Sequence, residues 1–254
     1  MSALKKLVSA LLVLTLAVSG GLLAWHGLHR TSASPPAGQT QTPAVPAPPE
    51  AVPDTVSTLC VAGDLVMHIP IINSCRTDDG YDFTGLFDEA RPYYESADYA
   101  AACIETTFNG PPYSGFPQFC APDQLAEDLK SVGLDLLSTA SNHSLDTWFS
   151  GLTRTLDVLD EAGLDHVGTY RTQEERDTVK VIDVGGIRLA VLAYTYGTNG
   201  LPKDEHPYCV NVFTTDYMTN CGVIDYELLK NDLARARQTD ADAIAVFMHW
   251  GQEY

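Results

Sequence analysis

The stretch "FCAPDQLAEDLKSVGLDLLSTASNHSLDTWFSGLTRTLDVLDEAGLDHVGTY" at 119–170 reads as helix, strand, helix, strand. Pro122 opens a helix predicted over Pro122–Val132, and Gly133 stops it. Asp123, Glu127 and Asp128 are expected on its solvated side. Leu134–Thr139 is a strand. Phe149–Ala162 is a second helix, with Leu152, Leu156 and Leu159 on the 3.6-residue period and Gly163 after its end. Asp165–Val167 is a short strand. Short apolar strands alternating with amphipathic helices predict an α/β sheet with buried strands.

The same alternation continues outward. Leu59–Ala62 and Tyr99–Ile104 are strands, with a helix over Phe83–Ser96 broken at Pro92 between them. Thr178–Val184 and Ile187–Tyr194 form a hairpin about Gly185-Gly186. Asp225–Arg237 is a helix and Ala243–Met248 a last strand. Residues 198–222 show no period and read as an inserted loop.

Chemistry-bearing residues gather at the strand ends. The first strand runs into Gly63-Asp64, the second into Glu105, the third into Ser141-Asn142-His143, and the last into His249, with Glu253 close behind. Ligands of open α/β sheets bind beyond the carboxyl ends of the strands. Carboxylates with imidazole and an amide oxygen suit Mn, Fe or Zn. Each residue alone also has a plain structural reading. Gly-Asp can be a turn, Glu105 a solvated acid, Asn142-His143 a helix cap with a packed ring, and His249 a core histidine. Their shared position at strand ends favours the site. No P-loop, GxSxG or dinucleotide fingerprint is present.

The N-terminal part has a different composition. Lys5 and Lys6 precede an uncharged run from Leu7 to Trp25, 19 residues long. That length favours an uncleaved signal anchor over a cleaved signal peptide, with the remainder exported. Residues 31–57 hold seven prolines and read as an extended spacer. The expected organisation is anchor at 1–30, linker at 31–57 and domain at 58–254. The chain carries 15 basic and 33 acidic side chains, a net −18. The three basic residues of 1–34 lie ahead of every acid, so residues 35–254 carry −21. Such a charge excludes general nucleic-acid binding. Of six cysteines, Cys60 and Cys103 read as buried thiols, and Cys209 and Cys221, flanking a polar loop, are the best-placed disulfide pair.

The segments "VAGDLVMH" at 61–68, "CIETTF" at 103–108, the 119–170 stretch, "GIRLAVLAYTYGTNG" at 186–200 and "FMHWGQEY" at 247–254 carry a resemblance. Together they resemble the CapA family of bacterial poly-γ-glutamate capsule proteins, related in fold to calcineurin-like metallophosphoesterases. The resemblance implies a layered α/β/β/α sandwich. It implies divalent metal ions (Mn, Fe or Zn), two in a complete chain, with Asp64, Glu105, Asn142 and His249 as ligands. His143 and Asp146 would serve catalysis, and Tyr194 and Glu253 would line the site. The implied function is a membrane-anchored, extracellular protein of capsule or poly-γ-glutamate biosynthesis or export, leaning to a hydrolase of phosphoesterase type. The alternative is a non-catalytic polymer-binding or export module. The implied partners are an anionic capsule polymer or its precursor, subunits of a capsule synthase, and the cell membrane through the N-terminal helix.

The chain also departs from the pattern it resembles. Phosphoesterases begin with Asp-x-His, whereas Leu65 and Val66 follow Asp64, leaving His68 as the only substitute. Cys103-Ile104-Glu105 stands where the family usually has Asn-Leu-Glu, and Ser141 where it often has Asn. The family's final Gly-His-x-His segment would lie beyond Tyr254, so a C-terminally incomplete domain is expected.

Overall fold

The structure is a computed structural model and describes residues 56–251. The N-terminal apolar run, nearly all of the spacer, and Glu253 lie outside the described residues. No helix among the described residues is long and apolar enough to cross a membrane.

Among the described residues, seven strands form two sheets. The first contains β1 (Leu59–Leu65), β2 (Tyr99–Ile104), β3 (Leu136–Ser138) and β4 (Asp165–Val167), all parallel and in chain order. In the second, β5 (Lys180–Val184) pairs antiparallel with β6 (Ile187–Thr195), which pairs parallel with β7 (Ala243–His249). The predicted glycine hairpin is therefore present. Gly185 and Gly186 both take positive φ, 58° and 91°, where residues with a Cβ are strained.

Strand alternation assigns the layers. On β2, Ala100, Ala102 and Ile104 face one way and Tyr99 and Ala101 the other. The first set meets α1 (Ile69–Ser74), α2 (Arg91–Ser96), α3 (Gln124–Ser131) and the inner face of α4 (Trp148–Ala162) through Ile72, Tyr94, Leu125, Leu129 and Leu159. The second set meets the other sheet through Leu136, Val167, Ile182, Val191 and Ala193. The far face of the second sheet, with Ala190, Leu192 and Tyr194, packs on Leu229, Leu233 and Ala236 of α6 (Tyr226–Ala236). The order is helices, sheet, sheet, helix, the α/β/β/α sandwich expected from the resemblance.

Two short helices have no counterpart in the sequence reading: α1 and α5 (Gln173–Asp177). The second is opened by Thr172, whose hydroxyl accepts from the Glu175 amide. Asp128 is a correction. It is buried, not solvated, and accepts from the Phe83 amide at 2.6 Å and from Gln124 Nε2 at 3.0 Å, tying α3 to the segment ahead of α2. Cys209 and Cys221 are also corrected: both are free thiols. Cys209 is fully buried beside Val210 and Val212, and burial pushes its thiol up to about 11.

Candidate metal centre

The carboxyl ends of β1, β2 and β3 lie side by side because those strands are parallel neighbours. The end of β7 faces them from the other sheet. Each delivers its side chain for a local reason.

Asp64 reaches the inter-sheet face through a β-bulge. Val61 pairs with Ala101 but Asp64 pairs with Cys103, so β1 holds one extra residue across Ala62-Gly63. Plain alternation from Leu59 would turn Asp64 toward the helices. The extra residue turns it to the same side as Cys103 and leaves Leu65 with the helical core. His249 shares the inter-sheet face of β7 with Phe247, and its ring stacks beside Tyr196 at 6.1 Å.

The His249 imidazole is the hub. Its Nδ1 lies 3.3 Å from Asp64 Oδ1 and 3.8 Å from Cys103 Sγ. Its Nε2 lies 2.7 Å from Asn142 Oδ1 and 3.6 Å from Glu105 Oε1. Glu105 also stands 3.9 Å from His143 Nε2. The four expected ligands are therefore brought together, with Asp64 beside Nδ1 of the His249 ring and Asn142 and Glu105 beside Nε2.

The loop between β3 and α4 holds the other half. The Ser144 Oγ lies 2.7 Å from the carbonyls of Thr139 and Ser141, which share its one proton, and accepts from the Ser141 amide. Asn142 caps no helix, since the residue at the α4 N-cap is Thr147. Instead its Nδ2 donates to Asn199 Oδ1 at 3.2 Å, which leaves Oδ1 facing His249. His143 Nδ1 meets Asp146 Oδ2 at 2.7 Å, and the Phe119 amide donates to the same oxygen at 2.6 Å. Nδ1–H is thus the donor, and Nε2, which carries the lone pair, lies 3.4 Å from Asn199 Nδ2 and 3.9 Å from Glu105. Phe119 meets His143 edge-on at 4.6 Å and His68 edge-on at 4.9 Å. His68 belongs to this aromatic wall and not to the group of Asp64, Cys103 and His249 that could hold a metal ion.

The donor set fits a divalent cation. Asp64 and Glu105 bring carboxylate oxygens and Asn142 an amide oxygen, all to one imidazole that can donate at most two N–H bonds. An ion satisfies such a convergence of lone pairs better than one ring does.

Residues 58–254 match the family described as bacterial capsule synthesis protein PGA_cap. The chain belongs to this family. It is 24% identical over 211 residues to the capsule biosynthesis protein CapA of Bacillus anthracis, covering 78% of this chain and 47% of that protein. It is 25% identical over 232 residues to the PGA biosynthesis protein CapA of Bacillus subtilis, covering 86% and 54%. An uncharacterized protein of Sinorhizobium fredii, y4sH, is 26% identical over 145 residues, or 54% and 30%. The chain spans about half the length of the curated CapA relatives it matches.

Tyr194 lies apart from this group of side chains. It follows Ala193, which faces the inter-sheet core, so alternation turns it to α6, where its hydroxyl donates to Asp232 Oδ2 at 2.8 Å. The expectation that Tyr194 lines the site is thereby corrected. Sequence reasoning also missed three neighbours. Cys103 read as a buried thiol, Phe119 gave no signal, and Asn199 fell in the aperiodic insertion. The signal for Asn199 was its residue type: it takes φ 51°, a left-handed conformation that Asn tolerates best among residues other than Gly. Burial pushes the Cys103 thiol up, and the Asp64 carboxylate adds to the shift.

Proposed function

We propose that the domain is a divalent-metal-dependent hydrolase of phosphoesterase type serving capsule or poly-γ-glutamate biosynthesis at the outer cell surface. One observation carries this reading: Asp64, Glu105 and Asn142, from three neighbouring strand ends, converge on His249 at the end of a fourth. The printed names of the two CapA relatives support the pathway. Lys5 and Lys6 ahead of the apolar run at 7–25 support a membrane anchor with the domain outside.

In this reading Asp64, Glu105, Asn142 and His249 hold up to two ions. Ions so bound would withdraw charge from a phosphoryl-type oxyanion and lower the pKa of water. Asp146 orients His143 and keeps its Nε2 toward the site, where it can give or take a proton at a substrate oxygen. Phe119 and His68 form the aromatic wall beside it. With −21 over residues 35–254, the chain repels a polyanion, so its polymer or precursor needs the cations to approach.

Elemental analysis of the purified chain tests the assignment. The expected result is Mn, Fe or Zn bound by the wild type and lost from an Asp64→Ala/His249→Ala variant. Unchanged metal content in the variant would sink it. Metal bound without hydrolysis of phosphomonoesters or phosphodiesters, together with retention of polyglutamate, would favour the binding module instead.

A further inference from the structure

We propose that the Cys103 thiolate is a metal ligand alongside Asp64 and His249 Nδ1, so that the ion held there is zinc or iron(II) in preference to manganese or magnesium. The proposal rests on the metal reading above and deepens it by assigning the class of ion.

Geometry is the first support. Ligand bonds of about 2.0–2.3 Å around a tetrahedral ion set neighbouring donors about 3.3–3.8 Å apart. His249 Nδ1 stands 3.3 Å from Asp64 Oδ1 and 3.8 Å from Cys103 Sγ, and all three donor atoms lie within 4.8 Å of one another. The His249 Nδ1 distances to Asp64 and Cys103 thus match the spacing of donors around one tetrahedral ion. Asp64 is exposed, so water or substrate can reach this side of the site, as catalytic zinc sites require.

The second support is the tautomer. Nε2–H donates to Asn142 Oδ1 at 2.7 Å, and Asn142 is held in that orientation by its own bond to Asn199. The ring's lone pair then belongs to Nδ1, the nitrogen that faces Asp64 and Cys103. The third is that two unrelated local devices aim donors at this one point. The β1 bulge turns Asp64 onto the Cys103 face, and β2 alternation places Cys103 between the sheets. A thiolate beside one imidazole and one carboxylate is a softer donor set than oxygens alone, which decides the metal class.

The full chain loaded with cobalt(II) tests this directly. A thiolate ligand gives a sulfur-to-cobalt charge-transfer band in the near ultraviolet, separate from the visible d–d bands. The expected result is both sets of bands in wild type and in Cys60→Ser, with loss of the charge-transfer band alone in Cys103→Ser. Zinc affinity should fall in Cys103→Ser at least on the order of tenfold, since losing even a partner of a ligand costs about 10–100-fold. Manganese affinity should change far less. X-ray absorption on zinc-loaded wild type needs no variant and should show a sulfur neighbour at about 2.3 Å. Bound cobalt or zinc with no sulfur signature in wild type would overturn the proposal and leave the metal reading standing. No binding of cobalt, zinc or manganese at all would overturn the metal reading itself.

Discussion

Asp146 shows how one buried carboxylate sets the chemistry of a neighbour. It accepts from the Phe119 amide and from His143, and both bonds are short and shielded from water. Replacing it with Ala leaves a buried N–H unpaired and frees the imidazole. Asp146→Ala should cost about 2–4 kcal/mol in urea unfolding, with loss of the protected His143 Nδ1–H signal in proton NMR. His166 is the second case. Burial holds its imidazole below the ordinary range, and Asp160 offsets this in part. The unfolded chain therefore binds more protons than the folded one as pH falls below about 6.5. The stability that His166 contributes is fully present above that pH and is lost as pH falls toward its folded value. His166→Gln should flatten the drop in unfolding free energy between about pH 7 and about pH 5. Residue types made Asp64, Glu105, Asn142, His143 and His249 legible, because carboxylates, amides and imidazoles at strand ends have few structural uses in common. Cys103 was not legible, because a cysteine in an apolar strand looks the same whether it faces a helix or a cluster of donor side chains.

At the scale of elements, period carried the reading where an element was long enough to show one. β2 and β4 have the predicted ends, and α4 begins one residue earlier than expected. Helices α1 and α5, at 6 and 5 residues, are too short to complete two turns, so no period could reveal them. The bulge in β1 was equally silent, since Ala62-Gly63 differs in no way from ordinary strand or turn residues until its partner strand is known. The connection after β4 sets the position of the Asn142-His143 loop. Gly168 has φ 110°, and a Cβ there would lie 2.6 Å from Ala140 Cβ and 3.1 Å from Ala193 Cβ. Both neighbours are rigid core atoms with no side chain to swing away. Gly168→Ala should destabilise the domain by about 2–4 kcal/mol in denaturant and, by pushing Ala140, lower the metal content as well.

For the molecule as a whole, two sheets must pack before the site exists. Three of its strands belong to one sheet and the fourth to the other, so a ligand that bridges them holds the sandwich closed. An ion that binds only the folded chain stabilises it by about 2.7 kcal/mol at one hundred times its dissociation constant. Zinc at that excess should raise the melting temperature by about 5–10 °C in wild type and leave Asp64→Ala/His249→Ala unmoved, measured by calorimetry. The sequence by itself determined the α/β class, the hairpin at Gly185-Gly186 and the gathering of Asp64, Glu105, Asn142 and His249 at strand ends. Those follow from local causes: periodicity, glycine's freedom at positive φ, and chain order along parallel strands. Only the tertiary structure decided which face each side chain takes. One extra residue in β1 swings Asp64 into the site, strand alternation sends Tyr194 to α6, and the packing of two sheets brings Cys103 to His249. A strand's two faces are equivalent until partners lie against them, and those partners are distant in sequence.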